Sequence, residues 1–307
     1  MQLNDLWFLI VGFMFIGYFV LDGFTFGVGM ALPFLGKDDT DRRVLINTLG
    51  PTWSLNETWV LVAGASLFAS FPEWYASLFS GFYLALLLIL AAMISRGIAI
   101  EYRGRGESAK WKRNFDLMFI LGNAVPALLW GVAFANIVQG VPLNEQHIYT
   151  GNLFTLLNPY GLLGGLVTLT LFFTHGLIFI TLKTEGEIRD NARKLAIKVG
   201  LVATVLAASF LVWTLISHWS VLGFILAALA AVSLILAQLA NLAKRDGIAF
   251  TLLVLTIVTA VGALFASLYP NVLPSTTDPA FSLTVDNARS SDYTLGVMTW
   301  VAGIMLP

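Results

Sequence analysis

The sequence predicts an all-α polytopic membrane protein, and three observations predict it. Of 307 residues, 58% are hydrophobic and only 11% charged, with a mean hydropathy of +0.82. A soluble domain carries about 25% charged residues, so this chain cannot cover itself with a polar surface. Apolar stretches of about 20 residues, the length that crosses hydrocarbon, recur along it. Sixteen of its 17 lysines and arginines fall in alternate connections between those stretches.

In chain order the spans are expected at about 7–35, 46–70, 75–100, 115–138, 159–182, 195–217, 219–240 and 248–269. The first is long and lacks a small-residue cleavage site, which reads as a retained helix rather than a signal peptide. A ninth apolar run starts near Thr294 and stops at Pro307; it is too short to cross, so the sequence is expected to end inside a last helix. The 36–45 loop carries three basic residues, 96–113 six, 183–198 five and 241–247 two, while the alternate connections hold only Arg289. The positive-inside rule then puts the N-terminus outside and the basic loops in the cytoplasm. Segments 139–158 and 270–293 become outer loops of one integral membrane domain covering 1–307. Trp7, Trp74, Trp219 and Tyr269 lie near outer ends, where aromatic residues anchor helices at the interface. The basic 96–113 stretch reads first as a topology signal, and second as a dock for a partner or anionic lipid. A net charge of −1 argues against a nucleic-acid partner, and the absence of cysteine excludes disulfides and thiolate-held metals.

Ionisable side chains within spans are rare and mark functional candidates. Asp22, Glu57 and His175 are the clearest; Arg96, Glu101 and Asp116 lie near the cytoplasmic boundary. Asp22 is 15 residues past Trp7, about 22 Å along a helix. Glu57 on the antiparallel second span falls about 9 to 16 Å from the cytoplasmic end, for a start at Pro51 or Ile46. The two carboxyls therefore share a depth. No basic residue is near Glu57 in sequence, so a neutral, protonated carboxyl suited to carrying a proton is expected. The alternative is a carboxyl hydrogen-bonded to a neighbouring helix. Gly23 and Gly27 make a small-xxx-small spacing, which places Asp22 under a second helix instead of lipid. Arg96 and Glu101 are five apart, poor spacing for a pair on one helix, so separate partners are expected for them.

Haem bundles need several inward histidines. Of His147, His175 and His218, only His175 is within a span, so a bis-histidine haem held by this chain is not expected. No nucleotide-binding loop, serine elbow or zinc signature is present.

The stretch from "LDGFTFGVGMALPFLGKDD" through "GPTWSLNETWVLVAGASLFASFPEWY" resembles subunit II of the cytochrome bd-type quinol oxidases. So do "RGIAIEYRG", "LWGVAFANIVQGVP", "TGNLFTLLNPYGLLGGL", "LYPNVLPST" and "YTLGVMTW", in order along essentially the whole chain. The resemblance implies nine helices in two four-helix bundles plus one helix, with bundle regions 1–140 and 159–307. It implies obligate pairing with subunit I, which carries two haems b, haem d, the quinol-oxidising loop and the oxygen-reducing centre. Subunit II itself then binds no cofactor. The complex would oxidise quinol outside, reduce oxygen to water and draw protons from the cytoplasm of a prokaryote. Lipid, quinone and a small accessory subunit are further partners to expect.

Two departures from the family pattern matter. Ser54 and Thr25 stand where the family tends to carry acids, while Asp22 and Glu57 remain. Asp22, Asn56 and Glu57 become candidates for a proton path or for contact with subunit I. Ser54 and Thr25 would pass protons only with water, so a path wholly inside subunit I stays open. Trp59 is either a packing aromatic or the lining of an oxygen or quinone route. A proton-coupled secondary transporter is the rival reading, since such carriers also join buried acids to Gly-rich helices. They show paired helix breaks; Pro126 is one candidate break, with no match in the second half.

Overall fold

Helix α1, Leu3–Leu35, is the axis around which the other helices pack. The computed structural model describes residues 2–305, so the last residues of the ninth apolar run lie outside the described residues. After α1 come α2 (Asp39–Asn47), α3 (Trp53–Ser70), α4 (Pro72–Gly81), α5 (Tyr83–Tyr102) and α6 (Ala109–Gln139). Then follow α7 (Leu153–Leu156), α8 (Pro159–Lys183), α9 (Gly186–Ser217), α10 (Val221–Leu242), α11 (Asp246–Leu268) and α12 (Asp292–Met305). The all-α class expected from composition is what the chain adopts.

Seven of these helices, α1, α5, α6, α8, α9, α10 and α11, are long and apolar enough to cross a membrane. Among the described residues α3 is not one of them, because its first two turns carry Ser54, Asn56, Glu57 and Thr58. The expected second span is cut short. Residues 46 and 47 end the separate helix α2, which is capped by the Asp38 carboxylate accepting from the Asp41 amide at 2.8 Å. A turn through Gly50 and Pro51 follows before α3 begins. The expected third span is broken too, at Phe82, which separates α4 from α5; Pro72, in the connection before that span, opens α4. Pro126, by contrast, breaks nothing: α6 runs straight past it. Its end comes at Gly140, whose φ of 92° needs a residue without Cβ.

α1 lies against α3, α6, α8, α11 and α12. Its closest approach is to α8, where a Cβ on Gly176 would sit 2.3 Å from the Gly27 carbonyl carbon. Without a hydrophobic force between helices in lipid, such close backbone contact is what holds them. The expected glycine-lined approach is therefore made by Gly27, with Gly23 beneath the Phe172 ring. Large apolar side chains point outward on α5, α9 and α10, as at Leu87, Val205 and Leu229.

The segments 139–158 and 270–293 are not independent loops. Val141 pairs with Ser275, β1 (Asn271–Leu273) pairs antiparallel with β2 (Leu283–Thr284), and the His147 ring meets the Phe281 carbonyl at 2.8 Å. Asn4 of α1 donates to Asp286 at 2.7 Å, and Ser290 donates to the Ala69 carbonyl at the end of α3 at 2.6 Å. This cap closes the end of the bundle opposite the basic loops. Trp7 and Trp74, expected as interfacial anchors, are instead 3% and 2% exposed. Trp7 donates to Thr299 of α12 at 3.0 Å, so that helix covers it. Trp219 and Tyr269 stay exposed.

Substituting Gly176→Leu should cost about 1–3 kcal/mol by overpacking the α1–α8 contact. The thermal midpoint of the purified protein would fall; an unmoved midpoint would show that the contact yields freely.

Candidate functional site

The polar interior is built on α1, α3, α5 and α6. Asp22 and Arg96 have no exposed side-chain surface, and Glu57 retains 24%. One nitrogen of Arg96, Nη2, donates to Asp22 Oδ2 at 3.0 Å and to Glu57 Oε1 at 2.5 Å. Its Nη1 donates to Asn123 Oδ1 at 3.4 Å, and the guanidinium lies 4.8 Å from the centre of the Phe26 ring. Gly122 of α6 makes room, since a Cβ there would meet the Arg96 backbone nitrogen at 2.8 Å.

Arg96 therefore does not sit in the basic loop with its neighbours in sequence. It points into the bundle and supplies the counter-charge that Glu57 lacks locally. The basic partner that Glu57 lacks in sequence comes from a helix 39 residues further on, and Arg96 lies within hydrogen-bonding distance of both carboxyls. Taking charges out of water is expensive, and only close, hydrogen-bonded opposite charges offset the cost. Here two carboxyls share one guanidinium, and the exposed edge of the group is Glu57. Asp22 Oδ1 and Arg96 Nε have no protein partner.

Asn56 is buried on the same turn of α3. Its amide donates to the Leu21 carbonyl at 2.8 Å and to Thr25 Oγ1 at 3.2 Å. Thr25, standing where the family tends to carry an acid, is thus engaged by Asn56, while Ser54 lies exposed on α3. The start of α3 at Trp53 puts Glu57 only four residues in, about 6 Å from the helix end. The Trp59 ring lies across α1 so closely that a Cβ on Gly17 would fall 2.3 Å from it. Its other neighbour is Phe13, at 5.9 Å between ring centres. That is a packing contact between α1 and α3.

Asp116 belongs to a second cluster, at the basic-loop end. It accepts from Arg42 at 2.7 Å and from Arg103 at 2.5 Å, while Asp39 accepts from Arg103 and Lys112 at 2.9 and 2.8 Å. The Lys112 ammonium and the Arg103 guanidinium hold the Asp39 carboxyl below the usual carboxylate range. Asp246 repeats the arrangement on α11, clamped by Arg189 at 2.5 Å and Arg193 at 2.9 Å. Glu101 is exposed and joins no ion pair among the described residues. Sequence reading did not foresee the two-arginine clamps, since helix boundaries decide which loop charges fold back.

The histidines are scattered. His175 is fully buried, with Nε2 at 3.1 Å from the Val20 carbonyl and its ring stacked 4.8 Å from Phe250. His147 is in the cap and His218 ends α9. These three do not converge, so the residues present do not fit a bis-histidine haem. No cluster of three potential metal ligands occurs among the described residues.

The family described as cytochrome bd terminal oxidase subunit II matches residues 3–307. The chain belongs to that family. It is similar to cytochrome bd ubiquinol oxidase subunit 2 of Bacillus subtilis, 38% identical over 311 residues, covering 100% of this chain and 92% of that one. It is similar to cytochrome bd-I ubiquinol oxidase subunit 2 of Escherichia coli K12, 37% identical over 343 residues, with 99% and 90% covered. In fold it is similar to a chain of the bd oxidase from Geobacillus thermodenitrificans, with a TM-score of 0.80 at 16% identity, covering 100% of this chain and 95% of that one. Membership of the subunit II family, together with the unbroken α6, turns the balance against a transporter.

Replacing Arg96 by Leu would strand Asp22 in the interior, a loss of about 3–5 kcal/mol for breaking a buried pair. Yield and thermal midpoint should fall sharply, and adding Asp22→Leu should restore part of both. A single Arg96→Leu variant as stable as the parent would mean that the triad does not hold these helices.

Proposed function

We propose that the chain is the haem-free second subunit of a quinol oxidase in a prokaryotic plasma membrane. On this reading subunit I carries two haems b and haem d, oxidises quinol and reduces oxygen to water. The chain stabilises that subunit and supports oxygen access and proton supply. The observation that carries the proton role is the Asp22–Arg96–Glu57 triad, whose accessible edge is Glu57 on α3.

α3 also falls short of the apolar run that crosses a membrane, with Ser54 and Thr58 exposed beside Glu57. A helix face of that polarity is better covered by protein than by lipid. We place subunit I there. Glu57 then exchanges protons with water in a cavity on the basic-loop side, while the fully buried Asp22 keeps Arg96 in place when Glu57 takes a proton. Ser54 and Thr58 serve as hydroxyls to which that water can bond. The basic loops are cytoplasmic and the cap is outside, so protons for water formation enter from the cytoplasm.

Glu57→Gln keeps the shape and removes the exchangeable charge. Oxygen consumption per haem in the assembled complex should drop by about tenfold or more, the lower end of what general acid–base groups contribute. Turnover equal to the parent at equal haem content would remove the proton role and leave Glu57 as a structural pin.

Orientation has its own test, because the chain contains no cysteine. A membrane-impermeant thiol reagent should label Asp278→Cys in spheroplasts, and Lys110→Cys only after the membrane is opened. The reverse pattern would invert the topology and the proton side with it.

A further inference from the structure

At the basic-loop end, α1, α2 and α6 leave an open pocket of about 260 Å³ between them. Arg42 of α2 and Arg113 and Asp116 of α6 supply its polar lining, and Leu32, Pro33, Leu117 and Ile120 the rest. The carboxylate is fully engaged. Asp116 Oδ2 accepts from Arg42 Nη1 at 2.7 Å and from Arg103 Nη2 at 3.3 Å, while Oδ1 accepts from Arg103 Nε at 2.5 Å. The cations are not. Arg42 uses Nη1 on Asp116 and Nε on the Gly36 carbonyl at 3.1 Å, which leaves Nη2 without a protein partner among the described residues. Arg113 is exposed and joins no ion pair or hydrogen bond among the described residues.

The pocket also runs from polar to apolar along the membrane normal. Arg113 lies four residues past the start of α6 at Ala109, and Ile120 eleven, about 6 and 16 Å along the helix. The guanidinium end is therefore at the membrane edge and the aliphatic end among hydrocarbon. Leu117 and Leu121, four apart and so on one face of α6, are both exposed, and Phe34 is exposed beside Pro33 at the end of α1. Guanidinium groups bind phosphate through two parallel hydrogen bonds, and basic pockets between helices at this end of a membrane protein suit anionic headgroups.

We infer that this pocket holds one anionic phospholipid, its phosphate against Arg42 and Arg113 and an acyl chain along Leu117 and Ile120. That the lipid belongs to the cytoplasmic leaflet rests on the orientation proposed above; the pocket does not. Free phosphate shares the headgroup chemistry but would leave the aliphatic half of the lining bare. A zwitterionic lipid brings an ammonium that finds no acceptor, because both oxygens of Asp116 are taken. Within the basic 96–113 stretch, Arg113 is thus set apart from residues that only mark topology.

The two-subunit complex, purified in detergent and stripped of lipid, is the sample, and native mass spectrometry counts what it retains. Given phosphatidylglycerol, the parent should keep one molecule that phosphatidylcholine does not replace. Arg113→Gln should weaken that retention several-fold, the contribution of one basic side chain at a lipid surface. Ile120→Trp fills the apolar end and should weaken it with no change of charge. Lys110→Gln, on the same stretch but outside the pocket, should leave it as in the parent. Unchanged retention in Arg113→Gln or Ile120→Trp would overturn the proposal, and an equal loss in Lys110→Gln would reduce the site to a diffuse basic surface and overturn it too. Equal retention of phosphatidylcholine, or release of the lipid by millimolar inorganic phosphate, would overturn an anionic lipid as the occupant. None of these readouts depends on turnover, so failure of the oxidase reading would leave them standing.

Discussion

A guanidinium with no exposed surface holds two carboxylates inside the first half of this molecule, and the helices there are arranged to make that tolerable. Charges buried in a low-dielectric interior are stable only at short range and with their hydrogen bonds met. Each group comes from a different helix: Asp22 from α1, Glu57 from α3 and Arg96 from α5. α6 adds Asn123 and, through Gly122, the space that lets Arg96 approach. The triad therefore sets the relative position of four helices. α3 gains most from this, since its polar first turns give it little reason to remain among lipid tails. Asn56 reinforces the hold by bonding to the α1 backbone at Leu21.

Much of the fold was legible in the sequence, because span length and hydropathy act over contiguous residues. The all-α class, the helix positions after residue 115 and the burial of Asp22 under another helix all follow from local pattern. What escaped was pairing at a distance. Arg96 stands 74 residues from Asp22, and its near neighbours in sequence, Arg103 and Arg105, are loop residues. Nothing local distinguishes a basic residue that ends a span from one that turns back into it. The divided second and third spans escaped for a different reason. In the second, Pro51 offers only an alternative start; in the third, apolar residues on both sides of Phe82 mask the interruption. Trp7 and Trp74 were misplaced because depth along a helix says nothing about which neighbour covers its face; α12 and the cap decide that.

The two halves of the chain treat polarity in opposite ways. In the first, charge is carried into the interior and neutralised there. In the second, carboxylates are kept to the two ends, where Asp246 meets Arg189 and Arg193 beside the basic loops and Asp286 sits in the cap. The hydroxyls further in bond to their own helices or to a neighbour. The same side-chain types thus leave one interior polar and the other apolar. Threonine makes this possible in a helix, because its hydroxyl can return to a carbonyl one turn back and present only its methyl group.

α1 is the wall between these two interiors. Tyr18 and Asp22 are four residues apart on it and so share a face. The Tyr18 hydroxyl accepts from Trp130, and the Trp130 ring lines an apolar cavity of about 140 Å³ between α1, α6, α8, α9, α10 and α11. One turn along, Asp22 carries the charge. Phe19, adjacent in sequence, turns to the cavity side with Trp130 and Phe134 at 6.1 and 5.0 Å between ring centres. This aromatic layer lies between the charged group and the apolar cavity. One face of this stretch of α1 is bonded, with Trp130 donating to Tyr18 and Arg96 to Asp22 Oδ2, while Asp22 Oδ1 keeps no protein partner and Phe19 turns to the apolar cavity.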